Sequence, residues 1–367
     1  MKRTNQEILE ELQKKNIPVY SFSRLECINN CLYEAYQTYI LDNREDQIGN
    51  IYANLGGRCH DVLEGITKRT NTTADLLPAL QQELNDMDML GIEFPKGRDG
   101  SDSIREGYIA DMTHFCTTYK PPKGKFEAET FVLFKTSNNH YVQGYIDLTK
   151  IHKDGSISIY DYKTSSLYKG EDIVKHGRQL VLYALAKEQE GFKVKEVAWL
   201  FTKYVEVSYV GKKTSRSKEE SEITKVIERK NIVKELIPVI EGKLQKYGVD
   251  EIDIEIIVNE AWERNKIPEI LQCEFTIKPY VMKYELTDDI KQECCEYIDN
   301  TIEKWEVLGS ENEKNFPPLN FTRKNKDGVE KEDTFYCRFL CGYSKDCPHF
   351  HKFLDTWDAK NEDEDLW

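Results

Sequence analysis

Three side chains suited to phosphodiester hydrolysis lie near the middle of this 367-residue sequence: Asp147, Asp161 and Lys163. Two neighbouring carboxylates favour a divalent cation between them, and Mg²⁺ commonly takes one or two carboxylates plus waters and substrate phosphate oxygens. A nearby lysine would orient the attacking water or stabilise negative charge on the phosphate. An Asp-x-Lys triplet is short, and strand charges usually face solvent, so the surrounding elements must decide whether it forms a site.

Two strands joined by a tight turn are predicted around these residues. Residues 140–151 and 156–163 alternate between apolar and polar side chains, and the Asp-Gly pair between them is typical of a hairpin turn. Side chains repeat every second residue along a strand, so Asp161 and Lys163 project from the same face. We therefore expect a carboxylate and an ammonium group held side by side.

Upstream segments offer further metal ligands. Residues 126–136 are predicted to form a strand with Glu127 and Glu129 on one face, and either glutamate would serve as a third oxygen ligand. Residues 54–69 have helical spacing of apolar side chains and carry His60 in the first turns. A lone histidine on such a helix is more often a core or surface residue than a ligand.

Downstream, a strand-helix-strand crossover is predicted. Residues 173–187 have the pattern of a helix in which Gln179 and Tyr183, four residues apart, share a face. Residues 196–204 alternate as the next strand. A helical crossover joins parallel strands, whereas the preceding hairpin is antiparallel, so we expect an α/β fold with a mixed sheet.

Five short motifs occur in the order found in one nuclease family. They are Gly57-Arg-Cys-His60 with Leu63-Glu64, then Glu129, then Gly144-Tyr-Ile-Asp147, then Asp161-Tyr-Lys163-Thr164, then Gln179-Leu-Val-Leu-Tyr183. In this order and spacing they resemble the PD-(D/E)xK nuclease superfamily, specifically its RecB-like branch. The resemblance implies a restriction-endonuclease-like mixed central sheet flanked by helices.

The same resemblance implies roles for individual residues. The ligands of one or two Mg²⁺ or Mn²⁺ ions would be His60, Glu129, Asp147 and Asp161. Lys163 would be the catalytic lysine, and Gln179 and Tyr183 would position DNA or that lysine. Glu127 stays an alternative to Glu129, because it lies one strand repeat away.

Cysteines form a second constellation. Cys337, Cys341 and Cys347 place three thiols within eleven residues, where disulfides would be crowded and an intracellular setting would keep thiols reduced. Three close cysteines indicate a metal site that lacks one ligand. The fourth is expected near the other end of the chain, at Cys27 or Cys31, in a helix that a Ser23-Glu26 capping box would open.

The N-terminal segment resembles the Ser-x-Ser-x-Leu helix of AddB-type nucleases and of CRISPR-associated RecB-like exonucleases. That resemblance implies a [4Fe-4S] cluster held by Cys31, Cys337, Cys341 and Cys347, with Cys27 in reserve. Three residues separate Cys337 from Cys341, where the family usually has two, which puts the ligand geometry in question. Zn²⁺ is the alternative occupant, because four thiolates suit it equally well. Either metal would join the two ends of the chain and be structural.

Charge and hydropathy place limits on partners. The formal net charge of −14 opposes phosphate binding, although local basic patches and bound cations can outweigh the total. No apolar run is long enough to span a membrane and the N-terminus lacks a signal sequence, so we expect no membrane association and a cytoplasmic protein of a prokaryotic or phage-infected cell. The basic residues that would either flank a DNA channel or form a solvated face are Lys212, Lys213, Arg216, Lys218, Lys225, Arg229 and Lys230.

The motifs divide the chain into segments of one compact domain. The expected segments are an N-terminal helical segment (1–50), a nuclease core (51–204), a helical insertion (205–270), a C-terminal strand, helix and cysteine cluster (271–357) and an acidic tail (358–367).

The expected function is metal-dependent DNA exonucleolytic cleavage of single strands or duplex ends. It would serve recombination, repair, phage DNA metabolism or CRISPR adaptation. No Gly-Lys-Thr helicase loop is present, so unwinding would need a partner such as a helicase, and an integrase is a further candidate partner. The alternatives are a non-catalytic module that binds DNA ends or a protein partner, and a zinc-stapled scaffold.

Overall fold

The fold is α/β, with a mixed seven-stranded sheet flanked by helices, as the sequence predicts. The computed structural model describes residues 3–44, 49–212, 220–309 and 312–364, with side chains described up to Trp357. None of the helices in these ranges has the length and apolar character needed to cross a membrane.

The central sheet has strand order β1-β3-β4-β5-β6, with β2 paired to β3 and β7 paired to β5. The β4–β5 and β1–β3 pairs are parallel and the others antiparallel. The strands are β1 Val19–Ser21, β2 Lys125–Lys135, β3 Tyr141–Ile151, β4 Ile157–Lys163, β5 Val194–Gly211, β6 Ser221–Glu228 and β7 Phe275–Tyr284, and a separate ribbon pairs β8 Thr322–Lys324 with β9 Glu330–Glu332.

Twelve α-helices are assigned within the described residues, besides short 3₁₀ helices. They are α1 Asn5–Lys14, α2 Phe22–Asn30, α3 Leu32–Tyr39, α4 Ile51–Lys68, α5 Leu76–Leu90, α6 Ser103–Thr118, α7 Glu171–Glu190, α8 Ile232–Lys246, α9 Glu251–Arg264, α10 Asp288–Leu308, α11 Phe335–Phe339 and α12 Pro348–Glu364. The last helix extends into the segment predicted as an acidic tail.

Hydrophobic layers cover both faces of the sheet. One layer packs α2, α3, α7 and α10 around Trp199 and Ile159. The opposite layer packs α4, α5 and α6 against Leu148 and Tyr162. A third cluster packs α8 and α9 against the far ends of β5, β6 and β7. Ile157 and Ile159 of β4 face the layer that contains α7. Because side chains alternate along a strand, Asp161 and Lys163 lie on this same face.

Three local predictions from the sequence are wrong. The N-terminal helix begins after Ser21, whose side chain accepts a hydrogen bond from the Arg24 N–H at 3.1 Å, so Ser23 is inside the helix and does not cap it. This helix also ends at Asn30, and Cys31 becomes the N-cap residue of α3. The segment after residue 204 begins as strand, because β5 continues to Gly211 and pairs with β6 before the helices start.

Candidate active site at the strand fork

Asp147 and Asp161 lie where two paired strands separate. The ladder between β3 and β4 ends at the pair Leu148–Tyr160, and the next residue on each strand is an aspartate. Asp147 Oδ2 accepts a hydrogen bond from the Tyr162 N–H at 2.8 Å, which satisfies a backbone donor that the ladder no longer uses. We call this opening the fork: Asp147, Asp161, Lys163 and the side chains that contact them.

Lys163 is fixed between Asp161 and α7. Its Nζ lies 2.7 Å from Asp161 Oδ2, and the Asp161 side chain is only 2% exposed. Lys163 also donates to Gln179 Oε1 at 3.1 Å, and Gln179 Nε2 donates to the Tyr183 hydroxyl at 3.0 Å. Burial lowers the pKa of Lys163, but Asp161, Tyr168 and Asp147 together outweigh it and raise the pKa, so the ammonium stays protonated.

Gly144 allows α7 to approach β3 closely. A Cβ atom at this position would come within 2.8 Å of Cε1 of the Tyr183 ring, closer than Cβ contacts normally reach. The absence of a side chain therefore lets the buried Tyr183 ring lie on the strand three residues before Asp147. This contact places the Tyr183 hydroxyl where it can accept from Gln179.

Glu129 faces the fork and Glu127 does not. The register pairs Ala128 with Leu148 and Thr130 with Ile146, which puts Glu129 opposite Asp147. Glu129 has a φ of 50°, a left-handed conformation that is rare for a non-glycine residue and is often found at functional sites. Burial and then the acidic neighbours raise the pKa of Glu129. Glu127 is exposed.

His60 reaches the fork from α4. Its Nδ1 lies 3.4 Å from Asp147 Oδ2, and its side chain is 28% exposed. Burial lowers the pKa of His60, so the ring is neutral and able to act as a ligand near pH 7. The structure thus brings all seven predicted site residues to one place: His60, Glu129, Asp147, Asp161, Lys163, Gln179 and Tyr183.

Sequence reasoning missed Glu26 and His176 beside the fork. The Glu26 carboxylate lies 3.7 Å from His176 Nδ1, and His176 stacks on Tyr168 with ring centroids 4.2 Å apart. Burial raises the pKa of Glu26, and the charges of Lys163 and Asp161 both act on it. The sequence predicts Glu26 only as part of a capping box, and no pattern in the sequence places this half-buried acid beside the fork.

The carboxylates at the fork are crowded in a way that favours a cation. Burial and then Asp161 raise the pKa of Asp147 to about 8. Both Asp147 and Asp161 use Oδ2 for the contacts above, and no hydrogen bond to Oδ1 of either residue is found within the described ranges. The donor set therefore fits a hard divalent ion. With the side chains as they stand, no group of three or more His, Cys, Asp or Glu residues in the described part of the chain is arranged to hold a metal ion.

The four predicted cluster cysteines line one small cavity, which we call the cysteine cavity: Cys31, Cys337, Cys341 and Cys347. Cys27 instead lines a different cavity. The geometry thus favours Cys31 over Cys27.

Local contacts differ among the four sulfurs. Burial raises the pKa of all four thiols. Backbone N–H groups donate to Cys31, Cys341 and Cys347, which partly offsets that rise. Cys341 also interacts with the buried carboxylate of Glu34, which accepts from the Tyr336 hydroxyl at 2.7 Å. The sulfur that follows the unusual gap therefore has a backbone donor, as Cys31 and Cys347 do, and an acidic neighbour in addition.

The predicted basic segment is only partly described. Lys213, Arg216 and Lys218 lie outside the described residues. Arg229 is buried and donates to the Thr202 carbonyl at 2.6 Å, and Lys230 lies 3.2 Å from the buried Asp111 carboxylate. Arg229 is therefore fixed inside the protein, and the half-buried Lys230 is paired with Asp111 and Glu228, so neither forms a free basic surface.

A model of the PD-(D/E)XK nuclease superfamily matches residues 19–348, which include the fork and all four cysteines of the cysteine cavity. The chain belongs to this superfamily. PD-(D/E)XK nucleases generally use a divalent metal such as Mg²⁺ or Mn²⁺, in agreement with the donor set at the fork. No curated protein matches the chain.

Solved structures add little to this assignment. The structure titled "Crystal structure of SSO0001" is 12% identical, with 86% of this chain and 94% of that chain covered and a TM-score of 0.26. A likeness at that TM-score supports no conclusion about fold or function. The superfamily assignment rests on the family match.

Proposed function

We propose that this PD-(D/E)XK protein is a metal-dependent DNA exonuclease that acts on single strands or duplex ends. The observation that carries the proposal is the Asp161–Lys163 pair at 2.7 Å, with Asp161 2% and Lys163 21% exposed, beside Asp147 in the opening between β3 and β4. A carboxylate as deeply buried as Asp161 is costly unless it is paired or used. Its place at the fork, where further acids converge, supports a catalytic role.

The proposed metal ligands are the oxygens of Asp147, Asp161 and Glu129, with His60 as a further ligand. A bound Mg²⁺ or Mn²⁺ ion would supply Lewis acidity and neutralise charge on the phosphate. Lys163 is held protonated by Asp161, so it donates to a phosphate oxygen or orients a water and does not act as a base. Gln179 accepts from Lys163 and is itself held by Tyr183, so this pair fixes the direction of the ammonium group.

We further propose that Cys31, Cys337, Cys341 and Cys347 hold a [4Fe-4S] cluster, with Zn²⁺ as the alternative occupant. Support comes from their common cavity and from the backbone N–H groups directed at Cys31 and Cys347, which favour thiolates. Such a site would join α3 to the segment around α11 and α12. Iron, sulfide and zinc analysis of anaerobically purified protein, with its visible absorption, separates the two metals.

The proposed setting is the cytoplasm of a prokaryotic or phage-infected cell. Recombination, repair, phage DNA metabolism and CRISPR adaptation all need trimming of DNA ends, and a helicase or an integrase would be a suitable partner. This part of the proposal follows from the chemistry of an end-processing nuclease. Co-purification with a partner from the native cell would test it.

The decisive experiment is cleavage of end-labelled single- and double-stranded DNA under anaerobic conditions, with and without Mg²⁺ or Mn²⁺. The wild type should degrade labelled ends and spare closed circles, and Asp161→Ala and Lys163→Ala should not. Cleavage of circles would point to an endonuclease. DNA binding without cleavage by a metal-loaded wild type would support a non-catalytic end-binding module.

A further inference from the structure

A further cavity lies between the end of α6, strands β5 and β7, the start of α8 and the segment after α9. Its volume is about 560 Å³, within the usual range for small-ligand sites. None of the fork residues lines it. We call it the basic cavity, because the charged side chains that line it are Lys120, Arg229, Lys266 and Lys278.

The charge of the basic cavity is opposite to that of the protein. The chain has 65 acidic and 51 basic residues, yet no Asp or Glu is among the described residues that line this cavity. Lys120 and Lys278 have no carboxylate within 4.0 Å in the described part of the chain. Lys266 has one such neighbour, Glu269 at 3.9 Å, and that carboxylate is 89% exposed, so the pair is weak.

Arg229 gives the cavity a fixed, buried charge. It is 4% exposed, and its hydrogen bonds go to neutral groups: the Thr202 carbonyl at 2.6 Å, the Thr118 hydroxyl at 3.1 Å and His114 Nδ1 at 3.3 Å. Within the described ranges its Nη2 makes no hydrogen bond. The centroid of the Phe115 ring lies 5.3 Å from the guanidinium carbon and the Asp111 charge acts on it, but no carboxylate is in hydrogen-bonding contact with it in the described ranges. A buried guanidinium in this setting is costly, and an anionic ligand would offset that cost.

Apolar side chains complete the opposite wall. Val205, Ile232, Ile267 and Tyr119 line the cavity together with the basic groups. A ligand that suits both walls carries a phosphate at one end and a flat, weakly polar ring at the other. We propose that the basic cavity binds a nucleotide, with the phosphate on Lys120, Lys278 and Arg229 and the base against the apolar wall.

The cavity adjoins the strands that carry the fork. The Tyr119 hydroxyl lies 3.2 Å from the Tyr162 hydroxyl, and the Thr202 hydroxyl donates to the Lys163 carbonyl at 3.2 Å. These two hydrogen bonds connect the wall of the cavity to β4, the strand that carries Asp161 and Lys163. The bound nucleotide would be a free mononucleotide or a nucleotide within a DNA strand, and both present the same phosphate chemistry.

The test is calorimetric titration of the full chain with thymidine 5′-monophosphate, with no divalent cation added. We expect saturable binding that thymidine does not reproduce and that salt weakens. Lys120→Ala and Lys278→Ala should each weaken binding roughly tenfold, because each removes one charge-assisted hydrogen bond. Lys234→Ala is the matched control: this exposed lysine of α8 does not line the cavity.

The outcomes separate this proposal from the nuclease proposal. Binding should survive in Asp161→Asn, which changes only the fork, so an inactive enzyme would not affect the result. A short oligothymidylate that binds more tightly than the mononucleotide, with the same lysine dependence, would identify a DNA strand as the source. No binding, equal binding of thymidine, or unchanged affinity in both lysine variants would overturn the proposal.

Discussion

The fork and the cysteine cavity bring metal-binding side chains together in different ways. At the fork the key acids lie on adjacent strands, and the hydrogen bond from Tyr162 N–H to Asp147 and the Lys163–Asp161 pair hold them in place. The cysteine cavity joins distant parts of the chain: Glu34 and Tyr336, which are hydrogen-bonded beside it, are 302 positions apart. Closing so long a loop costs entropy, so a ligand at the cysteines should act mainly on stability and one at the fork mainly on activity.

Asp161→Asn should produce the largest effect on cleavage. The side chain keeps its shape but loses the charge that binds a cation and holds Lys163, so we expect a loss in kcat of roughly a thousandfold. The melting temperature should also fall by several degrees, because Lys163 loses its carboxylate partner, so cleavage is compared well below the melting transition. Single-turnover cleavage and thermal melting measure the two quantities. Full activity in this variant would remove Asp161 from the mechanism.

Glu129→Ala and Glu127→Ala form a matched pair on β2. Glu129 lies opposite Asp147, whereas Glu127 is exposed. We expect a loss of roughly a hundredfold in kcat for Glu129→Ala and no change for Glu127→Ala. The apparent Mg²⁺ affinity, measured by titrating the ion in the cleavage assay, should fall only in the first variant. The reverse result would mean that β2 presents its other glutamate to the metal.

The periodicity of strands and helices predicts the position of most fork residues. It does not decide which glutamate of β2 faces the fork. Alternation along β4 is enough to put Asp161 and Lys163 on one face, and four-residue helical spacing is enough to align Gln179 with Tyr183. The choice between Glu127 and Glu129 depends on a backbone φ of 50° at Glu129 that no side-chain pattern reveals.

The cysteine region shows a related limit of sequence patterns. Ser21 and Ser23 are equally good N-cap residues, and only the hydrogen bond from Arg24 decides between them. That choice shifts the helix start and places Cys31 at the break between α2 and α3. Similarly, β6 was predicted as part of the helical insertion, because its lysines and glutamates obscure the alternation that pairs it with β5.

Cys31→Ala and Cys27→Ala test the cysteine cavity directly. Cys31 lines the cavity with the three C-terminal cysteines, and Cys27 does not. Loss of Cys31 should reduce the metal content of the anaerobically purified protein and lower the free energy of unfolding by about 2 kcal/mol or more. Cys27→Ala should keep the metal and lose only some packing. If only Cys27→Ala loses the metal, then Cys27 is the fourth ligand and Cys31 is not.

Two adjacent glycines of α4 give the smallest expected effects. Glycine in a helix interior costs about 1 kcal/mol relative to alanine, so Gly57→Ala should stabilise the protein by roughly that amount, since a Cβ atom there meets nothing within 4 Å. At Gly56 a Cβ atom would approach Thr164 Oγ1 to 3.3 Å, which should cancel the gain. Because α4 carries His60 to Asp147, both variants also report on the fork. If Gly57→Ala raises the melting temperature but lowers DNA cleavage, the substrate contacts the open face of α4. Stability and activity would then be coupled at the fork, whereas the comparison with the cysteine cavity predicts that changes at the fork act mainly on activity.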